Sequence, residues 1–142
     1  MDQLLKKHAE KIRFAIVGGA NTALDFGVLF LLTFLGLDKI PANYISTSVA
    51  LIFSFFANKT FAFKQKGGNA KKQFALFLVV TLFGLWVLQP LVIWGSSSLL
   101  ESSITNEAIM LFVAKLLATI VSLVWNYVFY SKIVFKKPVE KE

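Results

Sequence analysis

Two ionisable side chains stand deep inside apolar stretches of this sequence, Asp25 and Lys115. A charge placed in hydrocarbon costs at least about 2.5 kcal/mol on insertion scales, so such a residue marks a functional site by default. Gly18, Asn21, Thr22 and Asp25 follow the helical spacings i, i+3, i+4 and i+7 and share one face. Lys115, Thr119, Ser122 and Asn126, spaced by four, three and four, do the same, and Asn43, Thr47, Ser54 and Asn58 make a comparable third stripe. Together these stripes predict a polar seam inside a helical bundle. Its chemistry would be hydrogen bonding by amides and hydroxyls beside one carboxylate and one ammonium. Asp25 and Lys115 are expected to pair, directly or through a bound phosphate or water. A buried pair gains little stability over apolar residues, which favours a working role over a purely structural one.

Arg13, Lys59 and Lys132 stand where apolar stretches end, and orientation and phospholipid contact account for most such cations. Arg13 and Lys59 also sit beside a polar stripe, where a lipid phosphate can dock. Other chemistry is missing. The chain has no cysteine, hence no disulfide or thiolate, and its one histidine, His8, lies among solvated charges. No nucleophile–base pair, metal-ligand set, carboxylate pair or nucleotide loop is legible. The expectation is therefore no catalytic residue, no metal, no cofactor and no enzyme activity.

These residues need elements that span a membrane. At 142 residues the length suits one domain, but 56% hydrophobic and 16% charged residues do not describe a soluble one. Apolar stretches at about 14–37, 41–58, 74–99 and 108–131 are each long enough, or nearly so, to cross a bilayer at about 20 residues per crossing. The reading is an all-α integral membrane protein with four transmembrane helices as two hairpins. Residues 1–13 form an interfacial helix, 14–135 the four-helix domain and 136–142 a basic tail. Ala15, Gly19, Ala23 and Gly27, with Gly18 beside them, form a small-residue ridge that lets a helix backbone come close. Pro90 should kink the third span, with Gln89 a polar neighbour at depth. Residues 58–73, with five lysines and a Gly-Gly pair, read as an aqueous loop.

Thirteen of the fifteen basic residues flank the spans on one side, with only Lys39 opposite and Lys115 within a span. The positive-inside rule then places both termini and the middle loop in the cytoplasm, in a multi-pass protein of the cell membrane. The formal charge of +7 is thus an orientation signal and not a nucleic-acid surface. Trp125, Tyr127 and Tyr130 suit the inner aromatic belt, and Tyr44 and Trp94 the outer one.

The two hairpins resemble each other. Ser54 and Asn58 match Ser122 and Asn126 at an offset of 68, which also pairs Thr47 with Lys115. Phe14-Ala15 matches Phe74-Ala75, so Asn21 corresponds to Thr81 and Asp25 to Leu85. The hairpins read as parallel repeats, the first helix supplying chemistry and the third mostly packing.

The segment RFAIVGGANTALD resembles the opening signature of the GtrA-like family of small four-span membrane proteins. SFFANKTFAF resembles the family's ending of span two, and KLLATIVSLVWNYVFYSKIVF its third signature, so the likeness runs over residues 11–135 in order. By position Arg13, Gly18, Asn21, Asp25, Asn58, Lys59, Lys115 and Asn126 take the family's polar places. The resemblance implies translocation of a polyprenyl-phosphate-linked sugar, often glucose, from the cytoplasmic to the outer leaflet. A glycosyltransferase then decorates teichoic acid, O-antigen or arabinogalactan. Implied partners are that sugar lipid, membrane lipids and the transferases, and the ridge suggests a homo-oligomer. The head-group site is expected at Arg13, Asn21, Asp25, Asn58, Lys59, Lys115, Ser122 and Asn126.

Two rivals stand beside this reading. One is a membrane scaffold or anchor for a glycosyltransferase, as in related domains fused to dolichol-phosphate-mannose synthases. The other is a proton-coupled small-molecule exporter built on the span-one carboxylate, against which Lys115 and the basic mouth would repel cations.

Overall fold

Helix boundaries follow capping chemistry that the chain itself supplies. In the computed structural model, which describes residues 1–137, α1 runs Asp2–Phe34 and opens with an acidic residue in its first turn, where the helix dipole favours it. It stops in a Schellman motif: Leu37 N–H donates to the Leu32 carbonyl and Gly36 N–H to that of Thr33, with Gly36 at φ +97°. Helix α2 (Lys39–Ala57) follows after four residues. Asn69 then caps α3 (Ala70–Phe83), its Oδ1 accepting from the amides of Lys71 and Lys72. Helix α4 spans Gln89–Leu100. Asn106 caps α5 (Glu107–Phe129) in the same way, accepting from Ala108 and Ile109.

Among the described residues there are four helical segments long and apolar enough to cross a membrane, and no strand. They fall into two compact units, Met1–Gly67 and the part from Gly68 onward, each an antiparallel pair of spans. The first unit packs α1 on α2; the second packs α3 and α4 on α5.

Three π-helical turns were not legible in advance. One ends α2 at Asn58–Ala62, one joins α3 to α4 at Gly84–Leu88, and one ends α5 at Tyr130–Val134. The middle turn lies just ahead of Pro90, where the kink was expected. The ring of Pro90 cannot sit over a tight preceding turn, and the chain widens there, with the Gln89 amide reaching back five residues to the Gly84 carbonyl. The first turn corrects the aqueous loop at 58–73. Asn58, Ala62, Phe63 and Gln65 are buried, and the continuous exposed stretch is shorter, residues 66–72. The interfacial segment 1–13 has no boundary of its own and is the start of α1. The predicted basic tail lies outside the described residues from 138 on.

The repeat is real but its register differs from the sequence match. In α2 and its π turn the buried positions 42, 46, 50, 58 and 62 are followed by Phe63. In α5 and its turn they are 114, 118, 122, 130 and 134, followed by Phe135. Both turns close alike, Phe63 N–H donating to the Asn58 carbonyl and Phe135 N–H to that of Tyr130. The offset is therefore 72, one helical turn beyond the 68 of the sequence match. Asn58 corresponds to Tyr130, and Ser54 to Asn126.

Candidate functional site

In the first unit Arg13 and Phe14 tie the start of the apolar part of α1 to the end of α2. The Arg13 Nε–H donates to the Ala62 carbonyl at 3.1 Å, and the rings of Phe14 and Phe63 lie 6.1 Å apart. The signature cation thus has a structural task, holding the π turn against α1. Lys59, half-buried, belongs to that same turn, and its carbonyl accepts the Gln65 amide at 2.8 Å. Asn58 is 2% exposed. Its Nδ2 donates to the Ser54 carbonyl at 2.8 Å and to Ser54 Oγ at 3.2 Å, while its Oδ1 has no hydrogen-bond partner among the described residues.

On α1, Gly18, Asn21 and Asp25 lie on a half-buried face with the buried Val17 beside it. Thr22 is exposed and turns its hydroxyl back to the Gly18 carbonyl. The Oδ1 atoms of Asn21 and Asp25 are buried without a hydrogen-bond partner among the described residues. Four acceptors are therefore left unsatisfied in this unit: Asn21, Asp25 and Asn58 within its spans, and Gln65 Oε1 just beyond the π turn. Each such group costs about 1–3 kcal/mol.

The small-residue ridge is not what holds this hairpin together. Ala15, Gly19, Ala23 and Gly27 are all exposed in it. A Cβ built at Gly18, Gly19 or Gly27 would meet nothing within 4 Å. The close approach that small residues make possible occurs instead at Gly84, which sequence reasoning missed. A Cβ there would stand 2.9 Å from Ser122 Oγ and 3.3 Å from Asn126 Oδ1. We expect Gly84→Ala to destabilise the second unit by about 1–3 kcal/mol through overpacking, read as a lowered melting temperature in detergent.

That second unit is filled by its own side chains. Ser122 is buried against Gly84, and Asn126 is half-buried with its Oδ1 unpartnered. Lys115 is exposed in this unit, one residue past the buried row of Ala114, Ala118 and Ser122. The predicted stripe of α5 therefore divides, as does that of α2, where Asn43 and Thr47 are exposed and Ser54 and Asn58 face inward. Spacing alone fixes which residues share a face, but the small residues Ala42, Ser46 and Ala50 decide which face packs. Asp25 and Lys115 fall in different units.

Tyr130 is no belt residue. It is buried, stacks on Phe77 at 5.0 Å, and its hydroxyl hydrogen-bonds Thr81 Oγ1. Trp125 likewise donates its indole N–H to the Val80 carbonyl at 3.0 Å and stacks on Phe83. Tyr44 and Trp94, by contrast, are largely exposed, as residues facing a membrane boundary should be. At the far end of the first hairpin from Arg13, a groove of about 580 Å³ is lined by Leu29, Phe30, Thr33, Lys39, Ile40, Asn43 and Tyr44. It holds none of the predicted head-group residues.

Among the described residues, no group of three or more histidine, cysteine, aspartate or glutamate side chains is placed to hold a metal ion.

Comparison with known proteins adds the context. Residues 13–135 match the family model described as GtrA/DPMS, transmembrane domain. The chain is 31% identical over 116 residues to an uncharacterised membrane protein, YngA, of Bacillus subtilis (strain 168), covering 82% of this chain and 72% of that one. It is also 31% identical over 127 residues to the cell wall teichoic acid glycosylation protein GtcA of Listeria monocytogenes serovar 1/2a, covering 88% of this chain and 83% of the relative.

Proposed function

The chain belongs to the GtrA/DPMS transmembrane domain family, and from that premise we propose that this multi-pass membrane protein serves the glycosylation of a cell-surface polymer. It does so by moving a polyprenyl-phosphate-linked sugar of the glucose type from the cytoplasmic to the outer leaflet of the cell membrane. Teichoic acid is the acceptor class suggested by the Listeria relative's name. Both termini are cytoplasmic on this reading, supported by the thirteen cations on one side. The chain performs no catalysis itself; a separate glycosyltransferase takes the delivered sugar. The exposed ridge of α1 is left for a second copy, which crosslinking in lipid tests.

The observation that carries this reading is the set of unsatisfied acceptors within a membrane span. A sugar head crossing hydrocarbon needs hydrogen bonds that lipid cannot supply, while its prenyl tail can remain in lipid. Four helices are too few to enclose a wide aqueous pore, but a lateral seam suffices. With no nucleotide loop legible, movement runs downhill or with an ion gradient.

The test is leaflet exchange of a short-chain polyprenyl-phosphate-glucose in liposomes containing the pure protein. Exchange should accelerate at least tenfold over protein-free liposomes. If exchange stays at the protein-free rate while the lipid binds and a gradient is imposed, the chain is a scaffold for its transferase.

A further inference from the structure

We propose that the first hairpin holds a sugar-recognition seam which the second hairpin, its structural repeat, has filled with its own side chains. This deepens the translocation reading and rests on it. The two registers, 60 between α1 and α3 and 72 between α2 and α5, place Asn21 where the second unit has Thr81 and Asn58 where it has Tyr130. In the second unit that pair is closed. The Thr81 hydroxyl contacts the Tyr130 hydroxyl and also lies 2.7 Å from the Phe77 carbonyl. The phenol ring fills the remaining space against Phe77 and Phe135.

The first unit has two shorter carboxamides at the same places, and the Oδ1 of each is buried with no partner. One helical turn along α1, Asp25 adds a third such oxygen where the second unit has Leu85. A duplicated hairpin thus shows what a satisfied interior looks like at the first two positions, where Thr81 and Tyr130 are buried, and the first copy departs from it at both. Where a native structure leaves several buried acceptors unmade, a ligand that donates is the natural complement.

The chemistry of the three oxygens selects the ligand. A carboxylate and two amide oxygens accept hydrogen bonds and disfavour an anion, so they do not receive the phosphate. They suit the hydroxyls of a sugar ring. The phosphate belongs toward Arg13 and Lys59, and Asn21 lies about 12 Å along α1 from Arg13 at 1.5 Å per residue. The head group would then lie along α1, phosphate toward the basic end and hydroxyls toward Asp25.

The experiment transplants the closed pair. The double variant Asn21→Thr, Asn58→Tyr of the full chain is compared with wild type in nanodiscs for binding of two probes, short-chain polyprenyl-phosphate-glucose and the same polyprenyl phosphate without sugar. Melting temperature is measured alongside. The expected result is at least a tenfold loss of affinity for the sugar lipid, affinity for the sugarless lipid within twofold of wild type, and a melting temperature no lower. Unchanged sugar-lipid affinity overturns the proposal, as does an equal loss for both lipids. A sodium-dependent rise in wild-type melting temperature that the double variant loses, with sugar-lipid affinity retained, identifies a cation site and overturns it too. Should the double variant fail to fold, Asn21→Thr alone decides by the same two affinities, with a threefold selective loss expected. Selective binding without leaflet exchange would leave this seam standing and sink the translocation reading instead.

Discussion

Replacing Tyr130 with alanine is expected to lower the stability of the second hairpin by about 3 kcal/mol, whereas Tyr130→Phe should cost only about 1 kcal/mol. The ring is 3% exposed, stacks on Phe77 at 5.0 Å and meets Phe135 edge-on at 6.0 Å, so its removal leaves a cavity among large side chains that cannot collapse to fill it. The hydroxyl alone is a smaller matter. When it is lost, the Thr81 hydroxyl still donates to the Phe77 carbonyl and no buried donor is stranded. Denaturation in mild detergent, followed by tryptophan fluorescence, reports on this unit because all three tryptophans, Trp86, Trp94 and Trp125, lie in it. Equal losses for the two variants would mean that the hydroxyl, and not ring packing, holds α3 to α5.

That Tyr130 carries such weight was hidden in the sequence for a physical reason. An aromatic residue with a polar tip near a span end fits a membrane-boundary belt as well as it fits a packed interior. Only its contacts, the ring on Phe77 and the hydroxyl on Thr81, settle which it is. The repeat offset was hidden for a related reason. A slip of four residues returns an α-helix to nearly the same face, so Ser-x3-Asn matches at 68 and the packed row at 72 look alike in one dimension. What was legible came from long-range composition: four apolar spans, the hairpin pairing, and the polar face of α1 holding Asn21 and Asp25. The splitting of the α2 and α5 stripes was not legible. It depends on which of two adjacent rows, Ala114 and Ala118 or Lys115 and Thr119, meets the partner helix, and periodicity weights both equally. Arg13 was legible as a cation at a span end. Its hydrogen bond to Ala62 was not, because the acceptor is a backbone carbonyl left free where the helical segment ends.

The same comparison of repeats gives the sharpest separation of function from stability. Asp25→Leu installs the residue that the second hairpin carries at the corresponding place, Leu85. It removes a buried carboxylate oxygen that has no hydrogen-bond partner among the described residues. An ionisable group in a span is costly to insert, so the variant should fold with an unchanged or higher melting temperature. Leaflet exchange of the sugar lipid should nevertheless fall roughly ten- to hundredfold, the worth of a hydrogen bond to a charged acceptor. Stability gained with activity lost is the pattern of a residue kept for a ligand and not for the fold. The opposite pattern, a lower melting temperature with exchange unchanged in the fraction that remains folded, would make Asp25 a structural residue whose partner lies outside its own hairpin. Asp25→Asn discriminates further, since it keeps an acceptor oxygen at nearly the same place and removes the charge. Partial retention of exchange in Asp25→Asn would show that geometry suffices for the sugar hydroxyls. A loss as deep as that of leucine would show that the negative charge itself is needed, as it would be if a proton or other cation accompanied each crossing.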